Sequence, residues 1–209
     1  MQEHLWSLIV SGTVLGFWAG IAPGPLLTLV ITETLCLGPR AGAKVAAAPL
    51  ITDFPIIAVT VFVLAGMSQV SGLLAGVSFA GAGVLLWLAW DSFTTTPPEV
   101  EVGCRPDRSL GKGVLTNFLN PHPYLFWLTV GAPLLFSAHE AAGVLGPILF
   151  LAAFYVVLVG AKLGVALLTA RSRSFLTSRV YVWLLRGLGL LLVLFAFRFL
   201  HEGWVLLAG

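Results

Sequence analysis

The sequence predicts an all-α membrane protein of six transmembrane helices, arranged as two inverted three-helix repeats, with helices 1 and 4 broken at Pro-x-Pro. Three observations carry this expectation. Of 209 residues, 58% are hydrophobic and only 10% are charged, against about 25% charged in soluble domains. The apolar residues run in six long segments. The second half of the chain repeats the proline punctuation of the first. The length suits a single transmembrane domain over 1–209. It divides into a first repeat over about 1–93, a cytoplasmic loop over about 94–112 and a second repeat over about 113–209.

Span 1 covers about 5–36, longer than a bilayer needs, and is interrupted by Pro23-Gly24-Pro25. Met1-Gln2-Glu3-His4 lacks the basic start of a secretory signal, so this segment reads as a retained span. Span 2, about 41–67, carries Asp53 between Thr52 and Phe54, with Pro55 next. Span 3, about 70–93, holds Gly81 and Gly83. The long polar connection that follows contains Pro97-Pro98, Glu99, Glu101, Arg105 and Arg108. Span 4, about 113–136, opens on Asn117, Asn120 and Pro121-His122-Pro123. Span 5, about 141–170, carries Lys162; span 6, about 178–201, carries Arg186, Gly187 and Gly189. Both glycine pairs are expected to permit close helix contact. The runs are too long and too uniformly apolar for a barrel's alternation. Trp6, Trp18, Trp87, Trp90, Trp127, Trp183 and Trp204 suit interfacial-belt and packing roles.

Lys and Arg set the expected orientation. Arg40 and Lys44 follow span 1; Arg105, Arg108 and Lys112 follow span 3; Arg171, Arg173 and Arg179 follow span 5. In a six-span chain these loops share one face, and the opposite face has only Arg198. The bias places the three basic loops in the cytoplasm and both termini outside, in a multi-pass plasma-membrane protein. A net charge of +2, scattered along the chain, argues against nucleic acid as a partner.

The halves align in three places. Pro23-Gly24-Pro25-Leu26-Leu27 matches Pro121-His122-Pro123-Tyr124-Leu125, 98 residues on. Ala48-Pro49-Leu50-Ile51 matches Gly146-Pro147-Ile148-Leu149 at the same offset. Gly81–Leu86 matches Gly187–Leu192 at 106. Three spans per repeat is odd, so the second copy must be inverted, as in many secondary transporters.

Candidate site residues cluster at the breaks. A proline in a helix removes its own N–H and displaces the carbonyl four residues back. Pro23 and Pro25 should therefore free the carbonyls of Ala19 and Ile21, and Pro121 and Pro123 those of Asn117 and Leu119. Gly24 permits a sharp turn and close approach. Asn117 and Asn120 lie three apart, on one helical face. Asp53 lies deep in span 2, where an unpaired carboxylate costs about 3 kcal/mol or more. It is a candidate to bind a substrate ammonium or to take up a proton; the structural alternative is an ion pair with Lys162 or Arg186. Those two bases either snorkel to the surface or hold a carboxylate. His122 is titratable, and Glu33 sits near the water-exposed end of span 1. The cysteines, Cys36 and Cys104, form no metal spacing or CxxC pair and read as separate thiols. No cofactor or metal site is expected.

Gly16-Phe17-Trp18-Ala19-Gly20-Ile21-Ala22-Pro23-Gly24-Pro25 resembles the opening signature of the LysE/RhtB-type amino-acid exporters. Asp53 occupies a place similar to the family's second-helix aspartate. Gly113 through Pro123, with Asn120-Pro121, looks like its second signature, and the resemblance spans the whole chain. It implies export of amino acids or related small metabolites from the cytoplasm, coupled to the proton or ion gradient, by a homodimer that is not an enzyme. Two alternatives come from the same superfamily. A metal-cation exporter would want thiolate or imidazole ligands in its spans. A thiol–disulfide electron carrier would want paired cysteines in spans 1 and 4, but the repeat partner of Cys36 is Leu134.

Overall fold

The computed structural model describes residues 2–67, 71–94, 108–171 and 179–208. Among these every regular element is helical. In order they are α1 (Gln2–Ile21), α2 (Pro25–Leu37), α3 (Pro39–Ala46), α4 (Pro49–Met67) and α5 (Ser71–Thr94). Then come α6 (Ser109–Leu119), α7 (Pro121–Phe126), a π-helical turn (Trp127–Gly131), α8 (Ala132–Ala142), α9 (Leu145–Arg171) and α10 (Arg179–Ala208). Two stretches, Pro39–Gly66 and Leu145–Arg171, are long and apolar enough to cross a membrane. Leu5–Ile21 and Pro25–Leu37, bent by 59°, make a third if counted as one span. Of the residues singled out in the central loop, Pro97, Pro98, Glu99, Glu101, Cys104 and Arg105 lie outside the described residues, as does Arg173.

Proline sets four of the helix starts. Pro25, Pro39, Pro49 and Pro121 each open a helix, where a missing N–H leaves no bond unmade. Gly38, at φ 87°, separates α2 from α3, and its N–H bonds Thr34 O at 2.9 Å. That left-handed conformation suits glycine.

Two long contacts organise the packing: α1 lies along α9, and α5 lies along α10. The first depends on a spacing not singled out from sequence. Gly12, Gly16 and Gly20 fall on one face of α1, four apart, and a Cβ on each would strike the α9 backbone or Ala161. Of the glycines expected to make close contacts, Gly81 abuts Thr129 and Phe199, and Gly189 abuts Phe93. Gly83 and Gly187 face open space instead.

The core is aromatic. Phe154 stacks on Phe126 and Phe150, and Trp127 meets it edge-on. The outer surface is equally apolar, with Phe54 76% and Phe62 81% exposed on α4. Such faces suit lipid, which asks only that backbone groups be satisfied within the helix. Trp6, Trp90, Trp183 and Trp204 are exposed, whereas Trp18 and Trp127 are buried in the core.

Gly16→Val should overpack the α1–α9 contact and cost about 1–3 kcal/mol, read as a lower melting temperature of the purified protein in detergent. Gly83→Ala, in open space, should stay within about 0.5 kcal/mol of the parent.

Candidate functional site

The site begins at the break after α1. Ala22 N–H closes the last turn on Trp18 O. Pro23 and Pro25 supply no N–H to continue the helical ladder at the end of α1. Lys162 on α9 supplies donors there. Its Nζ donates to Ala19 O at 3.0 Å and to Gly20 O at 3.2 Å. Ala19 was one of the carbonyls expected to be freed; the second that Lys162 holds belongs to Gly20, not Ile21. The position suits a cation at a helix C-terminus. Lys162 is 3% exposed, so it does not snorkel to the surface. Gly24 is fully extended, and α2 then starts at Pro25 with no side chain capping its N-terminus.

The second break is built differently. Asn120 is extended between α6 and α7, and its Oδ1 accepts from His122 N–H at 3.1 Å. This is an N-cap. Asn120 N–H returns to Asn117 O at 3.3 Å, so the Asn117 carbonyl is not left open as expected. Pro121 takes the first position of α7. The π-helical turn follows at Trp127–Gly131, an element often found at functional sites.

Asp53 projects from α4 between the two breaks and is 4% exposed. Its Oδ1 accepts from Asn117 Nδ2 at 2.9 Å and faces Thr52 Oγ1 at 3.3 Å. Thr52 has one proton to divide between Asp53 and Ala48 O at 3.2 Å. Asn117 Nδ2 also reaches Thr52 Oγ1 at 2.6 Å, so one amide holds both residues. Asp53 Oδ2 accepts longer bonds, from Tyr155 OH at 3.2 Å and Trp127 Nε1 at 3.4 Å. The carboxylate is thus held from α4, α6, the π-helical turn and α9. A direct ion pair from Asp53 to Lys162 or Arg186 is absent among the described residues.

Eight of the eleven site residues expected from sequence line one cavity of about 100 Å³: Pro23, Gly24, Pro25, Asp53, Asn117, Asn120, His122 and Lys162. His122 also packs on Trp87, ring centres 4.8 Å apart. Pro121 shapes the second break without forming a wall; Pro123 does form one. Glu33 lies elsewhere. Rather than meeting water, it is buried, accepts from Ser109 Oγ at 2.5 Å and pairs with Lys112. Arg186 lies exposed over the Trp183 ring at 5.5 Å, outside the cavity.

Sequence reasoning missed Trp127 and Tyr155 as partners of Asp53. Their signal was available: a Trp and a Tyr deep in apolar spans each carry a polar tip that needs an acceptor. It also read Cys36 as a separate thiol, whereas Cys36 is disulfide-bonded; spacing along the chain does not report distance in space. Among the described residues no three of His, Cys, Asp and Glu converge as metal ligands would.

Residues 18–203 match the model of the LysE type translocator family, so the chain belongs to that family. Membership implies an exporter of amino acids or small molecules, working as a multi-pass membrane transporter rather than an enzyme. No curated protein and no solved structure matches the chain.

Asn117→Ala removes the shortest donor to Asp53 and should destabilise the protein by about 1–3 kcal/mol. Lys162→Met strands two carbonyls and loses charge-assisted bonds worth about 1.5–3 kcal/mol each. Thermal unfolding of the purified variants checks both; unchanged melting would mean water or lipid replaces these donors freely.

Proposed function

We propose that this translocator is a secondary-active exporter that moves amino acids or related small metabolites out of the cytoplasm, coupled to the proton or ion gradient. One observation carries the reading: a cavity between two broken helices holds one buried carboxylate and one buried ammonium that do not neutralise each other directly. An amino acid presents the complementary pair. Lys162 uses two of its three protons on Ala19 and Gly20. The third is free to meet a substrate carboxylate, beside the uncapped N-terminus of α2. The substrate ammonium goes to Asp53 Oδ2, whose bonds to Tyr155 and Trp127 are long enough to exchange. Asp53 is also the group best placed to bind the coupling proton, since gaining one removes the charge that attracts the ammonium.

The same reading takes the helices as six spans: α1–α2, α3–α4, α5, α6–α8, α9 and α10. Their contacts support an inverted repeat. The first span of each triplet packs on the second span of the other, α1 on α9 and α6–α8 on α4, while the third spans, α5 and α10, pack together. A two-fold axis in the membrane plane produces that pattern. In this arrangement Arg40, Lys44, Arg108, Lys112 and Arg171 fall on one side, taken as the cytoplasm.

Asp53→Asn should abolish or uncouple export, measured as labelled amino-acid counterflow in proteoliposomes at two pH values, while the protein still reaches the membrane folded. Wild-type flux at ordinary expression would sink the assignment. Replacing Pro121 and Pro123 by Ala should straighten the second break and lower flux; unchanged flux would make that break a matter of packing alone.

A further inference from the structure

We propose that the transported solute is a small neutral amino acid, and that the cavity refuses side chains bearing a second charge or an aromatic ring. The inference rests on the reading above, that the cavity grips an amino acid by its two charged groups.

Charge is the first argument. Asp53 is the one acidic side chain among the described cavity walls. Its Oδ1 takes the shortest bond, from Asn117 at 2.9 Å, which leaves Oδ2 as the face better able to change partners. One face serves one ammonium. A lysine or arginine substrate brings a second cation, which would find no acceptor of opposite charge and would share the space with Lys162. A second buried cation without a partner is strongly disfavoured. A substrate carrying a second carboxylate fares no better, because Lys162 has a single proton left once Ala19 and Gly20 are served.

Size is the second. The cavity holds about 100 Å³, whereas a 150 Å³ apolar cavity is of the scale that takes up benzene. That is about two thirds of the space a benzene ring takes up, so an aromatic side chain does not fit and short ones are favoured. The remaining walls are apolar: Trp18, Leu88, Phe126, Phe154 and Leu158. They complement a short hydrocarbon side chain. They also resist expansion, because Phe154 is fixed by rings on three sides, Phe126, Phe150 and Trp127. A close-packed aromatic stack moves only as a unit.

The test uses the full chain in proteoliposomes, with labelled alanine, valine, lysine and phenylalanine exchanged in parallel. Alanine and valine should half-saturate at concentrations on the order of tenfold or more below lysine and phenylalanine. Leu158→Ala enlarges the apolar end and should move the preference toward leucine and phenylalanine by about tenfold, since one methylene is worth 10–200-fold in such pockets. Because Leu158 is buried, Leu158→Val serves as a milder second variant with a smaller shift in the same direction. Equal or better exchange of lysine overturns the charge argument, and equal exchange of phenylalanine overturns the size argument; both leave amino-acid export standing. Exchange of none of the four defeats the proposed function itself, and this inference with it.

Discussion

The bond from Lys162 to the open end of α1 is the constraint on which the site depends. A helix that stops inside a bilayer leaves carbonyls facing hydrocarbon, at several kcal/mol for each unsatisfied group. Two prolines bracket Gly24, so the backbone cannot close that end by itself. The ammonium of Lys162 closes it from another helix. That requirement brings α9 against α1, and the glycines at 12, 16 and 20 let the two backbones meet. Chemistry and packing therefore have one cause. Lys162 could not reach Ala19 and Gly20 if α1 carried larger side chains on that face.

Asp53 stands in the same relation to the other half of the chain. It belongs to α4, yet its donors include Asn117 of α6, Trp127 of the π-helical turn and Tyr155 of α9. A carboxylate at that depth is tolerable only with such a set of donors. Burial of the charge thus ties α4 to the second half of the chain, as Lys162 ties α9 to the first. Glu33, with Ser109 and Lys112, adds a third crossing, between α2 and α6. Each of these buried polar groups joins residues distant in sequence, and none is satisfied within its own helix alone.

Much of this was legible in the sequence because prolines and intramembrane charges are costly wherever they occur. Pro23, Pro25, Asp53 and Lys162 stand out on that ground, Gly24, Asn117, Asn120 and His122 by their places at the breaks, and the fold gathers all eight around one cavity. The failures share a cause too. Composition does not say which way a tryptophan faces, so it does not separate buried Trp18 and Trp127 from exposed Trp6 and Trp204. Tyr155 has a hydroxyl that needs an acceptor at that depth, but sequence does not say that the acceptor is Asp53. Gly12, Gly16 and Gly20 make the close contact although they have no counterpart in the repeat, whereas two of the repeat-matched glycines, Gly83 and Gly187, face open space. Glu33 and Arg186 are charged, but one is paired and the other exposed, and sequence does not separate those fates from a place in the site.

The two breaks are related by sequence but not by chemistry, and the difference gives the cavity a direction. At the second break Asn120 caps α7 and recovers the Asn117 carbonyl, so that break is closed on itself. At the first, α2 has no side-chain cap and α1 depends on a borrowed cation. At the first break the side-chain donor is therefore the Lys162 ammonium, while Asp53 faces the same cavity from α4. A symmetric pair of open breaks would offer two equivalent places for either end of a solute. For the amino acid proposed as substrate, one such break opposite one carboxylate would give a single orientation: carboxylate toward Lys162 and α2, ammonium toward Asp53. Selectivity can then act on what projects from the solute's middle, because its ends are already assigned.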